Sequence, residues 1–195
     1  MRLVFASNNA HKLQEVRNIL PATCVVLSLR DIGFLREIDE TGETLEENSL
    51  IKAQTVWDYV KREHLAEIDG VFSDDTGLEI EALNGAPGVR TARWASDSVC
   101  DMSNRQKAIA SLAGKTNRNA QFRTVVTLIR KGNVEQVEGV VKGRIATEES
   151  GTNGFGYDPL FIPEGYNETF AMLPSEVKNS ISHRARAMMA LSKIL

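Results

Sequence analysis

Two carboxylates stand side by side in Ser73-Asp74-Asp75-Thr76-Gly77, where the apolar pair Val71-Phe72 gives way to polar residues. Adjacent like charges repel, and each needs water, a hydrogen-bond donor or a cation to stay ionised in a partly buried place. In an extended strand neighbouring side chains point to opposite faces, so Asp74 and Asp75 are expected to do different jobs. One could bind a metal while the other orients water or a ligand. Magnesium suits such a pair, because it takes carboxylate and phosphate oxygens and keeps several waters. The plain alternative is an exposed acidic turn, and for an isolated Asp-Asp it is the better reading, so the rest of the chain decides.

Four more stretches could carry chemistry. Ser7-Asn8-Asn9-Ala10-His11-Lys12 lies between a strand and a helix; the unpaired N–H groups of a helix start attract anions, and Lys12 one turn in adds positive charge. A simple cap by Ser7 or Asn9 explains the same residues. The acidic run from Glu37 to Asn48, which includes Glu40, also suits a helix start for dipole reasons alone. In Gly154-Phe155-Gly156-Tyr157-Asp158-Pro159, glycine permits close backbone approach and an aromatic ring offers a stacking surface to a planar base. A tight turn with buried aromatics is the competing reading. Lys178 to Ala187 belong to a terminal helix whose Ile181, Ala185, Met188 and Leu191 are expected to face the core, and His183 falls opposite that stripe.

The elements that must position these residues follow from hydrophobic periodicity. Leu3 to Ala6 predict a strand, and Leu13, Val16 and Leu20 the helix after it. Cys24 to Leu29 predict a second strand. Leu50, Ala53, Trp57 and Val60 mark one face of a helix from Thr44 to His64, with Thr44 and Glu47 spaced as a capping box and Asn48 and Lys52 on the opposite face. Val71 and Phe72 form a buried strand leading to Asp74, and Leu78, Ile80 and Ala82 alternate as a separate half-exposed one. Residues 101 to 113 predict a helix, and 121 to 130 with 134 to 146 a hairpin turning at Lys131-Gly132-Asn133. Helices and strands alternate early and strands pair later, so the sheet is expected to be mixed.

Composition bounds the partners. With 195 residues, 42% of them hydrophobic and 25% charged, the chain suits one globular domain spanning 1 to 195, drawn into two lobes. A net charge of -3 argues against a nucleic-acid partner, because a phosphate backbone calls for a basic surface, yet leaves room for a small phosphate ligand. Cys24 and Cys100 sit far apart without nearby histidines, so both are expected to be reduced packing residues. The opening apolar run is too short for a secretory or membrane segment, so the expected location is the cytoplasm, with no membrane partner.

Together and in this order, the stretches resemble the inosine triphosphatase family of purine nucleoside triphosphate pyrophosphatases. Ser7 to Lys12 is similar to the family's S/T-x-N-x-x-K, Glu40-Thr41-Gly42 with Glu47-Asn48 and Lys52-Ala53 to its E-T-G...E-N...K-A, and Asp74 to Leu78 to its D-D-S-G-L. The segment from Gly85 to Ala95 resembles a G-A-P-G-x-x-S-A-R-x element, Gly154 to Phe161 the G-F-G-Y-D-P-x-F element, and Ser182-His183-Arg184 closes the match. Thr76 and Thr91 stand where the family often has serine, keeping the hydroxyl and adding a methyl.

The resemblance implies a mixed α/β fold, an elongated central sheet flanked by helices with two lobes around an active-site cleft, acting as a homodimer. It implies Mg2+-dependent hydrolysis of ITP, dITP and XTP to the monophosphate and pyrophosphate. By carry-over, Ser7, Asn8, Asn9, Ala10, His11 and Lys12 bind the triphosphate, Glu40 and Asp75 the metal, and Asp75 or Asp74 the attacking water. Asn48, Lys52, Thr76 and Lys178 serve phosphate or sugar, and Phe155, Gly156, Tyr157, Asp158, His183 and Arg184 the base. Arg184, which has donors and no acceptor, would bond the oxygen at position 6 of hypoxanthine and meet the adenine amine badly. A related pyrophosphatase of the Maf type is a second reading, disfavoured because no S-x-S-x-R-R opens the chain. A nucleotide-binding module without turnover is a third.

Overall fold

Short apolar runs separated by helical repeats give the computed structural model, which describes residues 1–96 and 102–195, its element order. The elements are β1 (Arg2–Phe5), α1 (Ala10–Ile19), β2 (Val25–Leu27), α2 (Leu45–Arg62), β3 (Gly70–Ile80), β4 (Pro87–Gly88), α3 (Asn104–Ser111), β5 (Asn119–Arg130), β6 (Asn133–Ile145), β7 (Phe161–Pro163), α4 (Ser175–Ile181) and α5 (His183–Ser192). Among the described residues the strands form one sheet in the order β2-β1-β3-β5-β6-β7, with β4 paired to β3. β1 runs parallel to both neighbours, setting Leu3 against Val26 and Gly70. Parallel partners need crossovers, and α1 and α2 supply them. β5 and β6 form the expected hairpin, turning on Lys131 and Gly132 at φ 52° and 83°, the signs a type I′ turn requires. The sheet is therefore mixed, in an α/β fold.

The chain makes two compact units. The first comprises Met1–Asp75, Thr124–Gly139 and Arg184–Leu195, and the second Thr76–Arg123 and Val140–His183. In the first unit Leu3, Phe5, Val16, Phe72, Val126 and Met188 build one core cluster and Val4, Phe34, Val56, Val60 and Val71 another. In the second, Leu78, Phe122, Leu160, Phe161 and Phe170 pack together. Cys24 is half-buried beside the first of these clusters, in keeping with a packing role. Cys100 and the Asp101 end of the expected third helix lie outside the described residues. That helix starts at Asn104, capped by Ser103 and Gln106 in a capping box.

Three expectations are corrected. Asp74 and Asp75 do not end a strand: β3 runs without a break for 11 residues, and Ser73, Asp74 and Asp75 are all buried within it. The buried face of α2 is Leu45, Asn48, Ser49, Lys52, Ala53, Val56 and Val60, while Leu50 is exposed. Asn48 and Lys52 thus lie on the inward face, because they have polar partners there. The carboxyl-terminal helix is two helices, divided at an extended Ser182 (ψ 160°). The division resets the helical phase, so His183 is buried instead of facing away from the core.

Candidate active site

β3 and the amino-terminal turns of α1 and α2 gather the first unit's functional side chains. The capping box of α2 is complete: the Thr44 side chain accepts from Glu47 N, and the Glu47 carboxylate accepts from Thr44 N. Asn48 Oδ1 accepts from Gly42 N at 2.8 Å, which ties the Glu40-Thr41-Gly42 loop to the helix start. A Cβ at Gly42 would come within 2.6 Å of Glu47 Cβ and 2.8 Å of Asn48 Oδ1, so the loop needs glycine for close approach. One turn on, Lys52 Nζ donates to Glu40 Oε1 at 2.5 Å and to Asp75 Oδ1 at 3.2 Å. The predicted metal residues Glu40 and Asp75 are therefore brought together around Lys52.

On the other side of β3, Lys12 Nζ donates to Asp74 Oδ1 at 3.0 Å, and Arg184 Nε and Nη2 both donate to Asp74 Oδ2 at 3.1 Å. Arg184 Nη1 also donates to Glu15 at 2.5 Å. Asn9 caps α1 by accepting from Lys12 N at 3.1 Å, and Ser7 Oγ accepts from Asn9 N at 3.3 Å. The cap reading of this loop thus holds, and it also fixes the backbone from which Lys12 reaches Asp74. Asn8, Asn9, Ala10 and His11 are exposed.

The electrostatics of the two aspartates differ. Burial works against charge on Asp74, but Lys12, Arg184 and Lys52 outweigh it and hold the carboxyl well below the usual carboxylate range. For Asp75 burial prevails, with Glu40 adding to it against Lys52 and Lys12, and its carboxyl is pushed up. Burial opposes charge on Lys52 too, yet Asp75, Asp74 and Glu40 overcome it and raise its pKa. Burial lowers Lys12, with Arg184 and Lys52 working the same way against Asp74. Asp75 Oδ2 is buried and has no hydrogen-bond partner, and so has Asn48 Nδ2.

In the second unit, Asp158 Oδ2 accepts from Phe155 N at 2.7 Å and from Lys178 Nζ at 2.8 Å. Gly154 sits at φ 75°, and a Cβ there would fall 2.1 Å from Asp158 Oδ2. Only glycine fits this turn. Lys178 Nζ lies 5.1 Å from the centre of the half-buried Phe155 ring. The Tyr157 hydroxyl donates to Thr91 O at 3.2 Å, and Thr91 Oγ1 accepts from Leu78 N and donates to Gly88 O. A hydroxyl is what that position uses, so Thr serves as Ser would. His183 stacks on Phe122 with ring centres 4.6 Å apart. Thr76 is half-buried in β3.

Sequence reasoning missed Glu15 and Phe122. Glu15 follows Lys12 by three residues, a spacing that places both on one helix face and could have flagged it. Phe122 carried no signal, because only the fold sets it beside His183.

A model of the Ham1 family matches residues 3–194. A relative from Flavobacterium johnsoniae, named dITP/XTP pyrophosphatase, is 45% identical over 195 residues, covering 100% of this chain and 98% of its own. One of the same name from Bacillus subtilis is 43% identical over 196 residues, covering 98% and 96%. Among solved structures, the Staphylococcus aureus Ham1 protein aligns with a TM-score of 0.84 at 34% identity, covering 100% of this chain and 97% of that one. A HAM1 protein from Coxiella burnetii aligns at 0.85 and 34%, covering 100% and 98%.

Proposed function

Since the chain belongs to the Ham1 family, we propose that it hydrolyses dITP, XTP and ITP to the nucleoside monophosphate and pyrophosphate. The observation that carries this reading for the chain's own residues is Asp75 Oδ2. A buried acceptor with no hydrogen-bond partner, beside a second carboxylate, is the arrangement a divalent cation satisfies. Glu40 and Asp75 would hold Mg2+. Among the described residues no group of three or more His, Cys, Asp or Glu is placed to hold a metal. A two-carboxylate set suits magnesium, which completes its shell with waters and substrate phosphates. When bound, the ion supplies charge neutralisation for the departing pyrophosphate.

The chain's own side chains divide the remaining work. Lys12 and Lys52 offer ammonium groups to the triphosphate, and the Ser7–Lys12 loop offers the amino-terminal end of α1. Asp75 orients the attacking water at the α-phosphate, and because a carboxylate beside a cation is a weak base, positioning and charge neutralisation carry more of the rate than proton abstraction. Asp74, which accepts one hydrogen bond from Lys12 and two from Arg184, serves in this reading to hold those two side chains. Phe155 offers the base a stacking face on the turn that Gly156, Tyr157 and Asp158 shape, His183 is assigned to the base as well, and Thr76, Asn48 and Lys178 contact phosphate or sugar. Arg184 keeps its assignment to the oxygen at position 6. Asp74 and Glu15 fix the plane of its guanidinium, so its donors are presented in one orientation.

The finer elements of the reading are a homodimer and a cytoplasmic location; among the described residues no helix is long and apolar enough to cross a membrane. Pyrophosphate release from dITP, XTP, ITP, ATP and a pyrimidine triphosphate, titrated with Mg2+ and repeated in EDTA, tests the proposal. Metal-dependent release confined to the deaminated purines is expected. Equal use of ATP, or turnover in EDTA, would overturn it.

A further inference from the structure

Between α2 and β3 lies a chain of buried hydroxyls that the proposed reaction does not use. Ser49, Ser73 and Thr127 have no exposure at all. Ser73 Oγ donates to Ser49 O at 2.5 Å, which commits its single hydrogen. In the 3.0 Å contact between the two serine hydroxyls, Ser49 Oγ must then be the donor. Thr127 Oγ1 donates to Ser49 Oγ at 2.9 Å, and Gln136 Nε2 donates to Thr127 Oγ1 at 2.9 Å and to Glu46 O at 3.0 Å. The direction of every bond is thereby fixed, from Gln136 through Thr127 and Ser49 to Ser73 and back to the Ser49 carbonyl.

This chain joins β6, β5, α2 and β3 at one level. Ser49 is flanked in α2 by Asn48 and, three residues on, Lys52, and Ser73 directly precedes Asp74 and Asp75 in β3. Alanine and valine would fill the same volume without the cost of desolvating hydroxyls, and apolar packing tolerates sliding in a way that directional bonds do not. A core that breaks the apolar pattern beside a functional site is expected to gain something from it.

We propose that Ser49, Ser73 and Thr127 are positioning residues that fix the register of α2 on β3 and so hold Lys52 against Asp75 and Glu40. The inference rests on the pyrophosphatase reading for its kinetic consequence, and on the hydrogen-bond chain for its structural one. A slip of about 1 Å in a reacting group costs about 10²-fold in rate, so loss of one bond in the chain should cost on the order of tenfold.

The test compares Thr127→Val, which keeps shape and loses the hydroxyl, with Thr127→Ser, which keeps it. For dITP hydrolysis at 25 °C, Thr127→Val is expected to lower kcat about tenfold with KM changed less than about threefold. Thr127→Ser should restore kcat to within about twofold. Amide NMR shifts of the valine variant should move at Asn48, Lys52 and Asp75, and those of the serine variant should not. Wild-type kcat in Thr127→Val, or equal losses in both variants, would overturn the proposal, as would a valine variant whose α2 amides do not shift. If the wild type itself releases no pyrophosphate, the enzymatic reading has failed, and the amide shifts alone then decide for or against the register pin.

Discussion

The two sides of β3 at residues 74 and 75 differ in how far they satisfy their charge. Asp74 has Lys12 on one oxygen and the Arg184 fork on the other, and both of its oxygens are engaged. Asp75 has a single ammonium, shared with Glu40, and one buried oxygen without a partner. A saturated carboxylate is a fixture, whereas an undersatisfied one is poised for a cation or a proton. Residues adjacent in sequence thus differ in how their charge is met, and the proposed function treats Asp74 as an anchor and Asp75 as the working group.

The sharpest way to break this division is Asp75→Asn. Pyrophosphate release is expected to fall by roughly 10³-fold or more, because the change removes the charge at the proposed metal position without altering size. In EDTA the same variant should melt higher than wild type at pH 7, by a few degrees. The sign follows from linkage: a raised folded pKa means that the group's contribution is fully present below its unfolded value near 4 and is lost as pH rises through the folded one. The difference in Tm should therefore vanish near pH 4. A variant that melts lower than wild type at neutral pH would place Asp75 among the anchors.

Asp74→Asn should do the reverse. It strips Lys12 and Arg184 of a buried partner and is expected to cost about 3 to 5 kcal/mol, or roughly 10 °C in Tm for a chain of this size. Here the folded pKa is depressed, so the contribution is present above the unfolded value and lost only as pH falls through the folded one. The gap between variant and wild type should stay constant from pH 8 to about 5 and close in stronger acid. Thermal melts across that range check it, and a gap that closes near pH 6 would contradict the assignment.

Two smaller effects sharpen the same contrast. Lys12→Ala should raise KM for dITP about tenfold, since a phosphate-facing lysine meets substrate and transition state alike. Asn9 still caps α1 in that variant through the Lys12 backbone, so a pure helix effect predicts almost no kinetic change. Glu15→Gln should weaken the hold on Arg184 and lower the ratio of kcat/KM for ITP over ATP by about threefold, with a stability loss of about 1 to 3 kcal/mol, smaller than that of Asp74→Asn because Asp74 still pairs with Arg184. An unaltered ratio would mean that Glu15 does not orient a base-reading group.

Residues whose roles depend on local geometry were legible from the chain. The Thr44–Glu47 capping box and the Lys131-Gly132 turn follow from rules that reach only a few residues, and each stands where it was expected. That Asp74, Asp75, Lys12, Lys52 and Glu40 belong together was implied by the family resemblance alone, since no local rule connects residues so far apart in the chain. The inward face of α2 was misread for a physical reason: hydrophobic periodicity assumes polar side chains seek water, and Asn48, Ser49 and Lys52 are instead buried with polar partners, Asn48 with Gly42 in the preceding loop and Ser49 and Lys52 with Ser73 and Asp75 of β3. His183 was misplaced because a helical wheel presumes an unbroken helix, and the extended Ser182 breaks it.

What the sequence by itself determined is the list of chemical groups and the short-range frames that carry them, since capping, turn and strand preferences act over one or two turns of chain. What only the tertiary structure decided is which carboxylate each cation serves. Lys12 meets Asp74 across 62 residues and Arg184 meets it across 110. Coulomb energy and desolvation depend on distance and burial in three dimensions, so the charge state that separates Asp74 from Asp75 exists only once the sheet has brought those partners together.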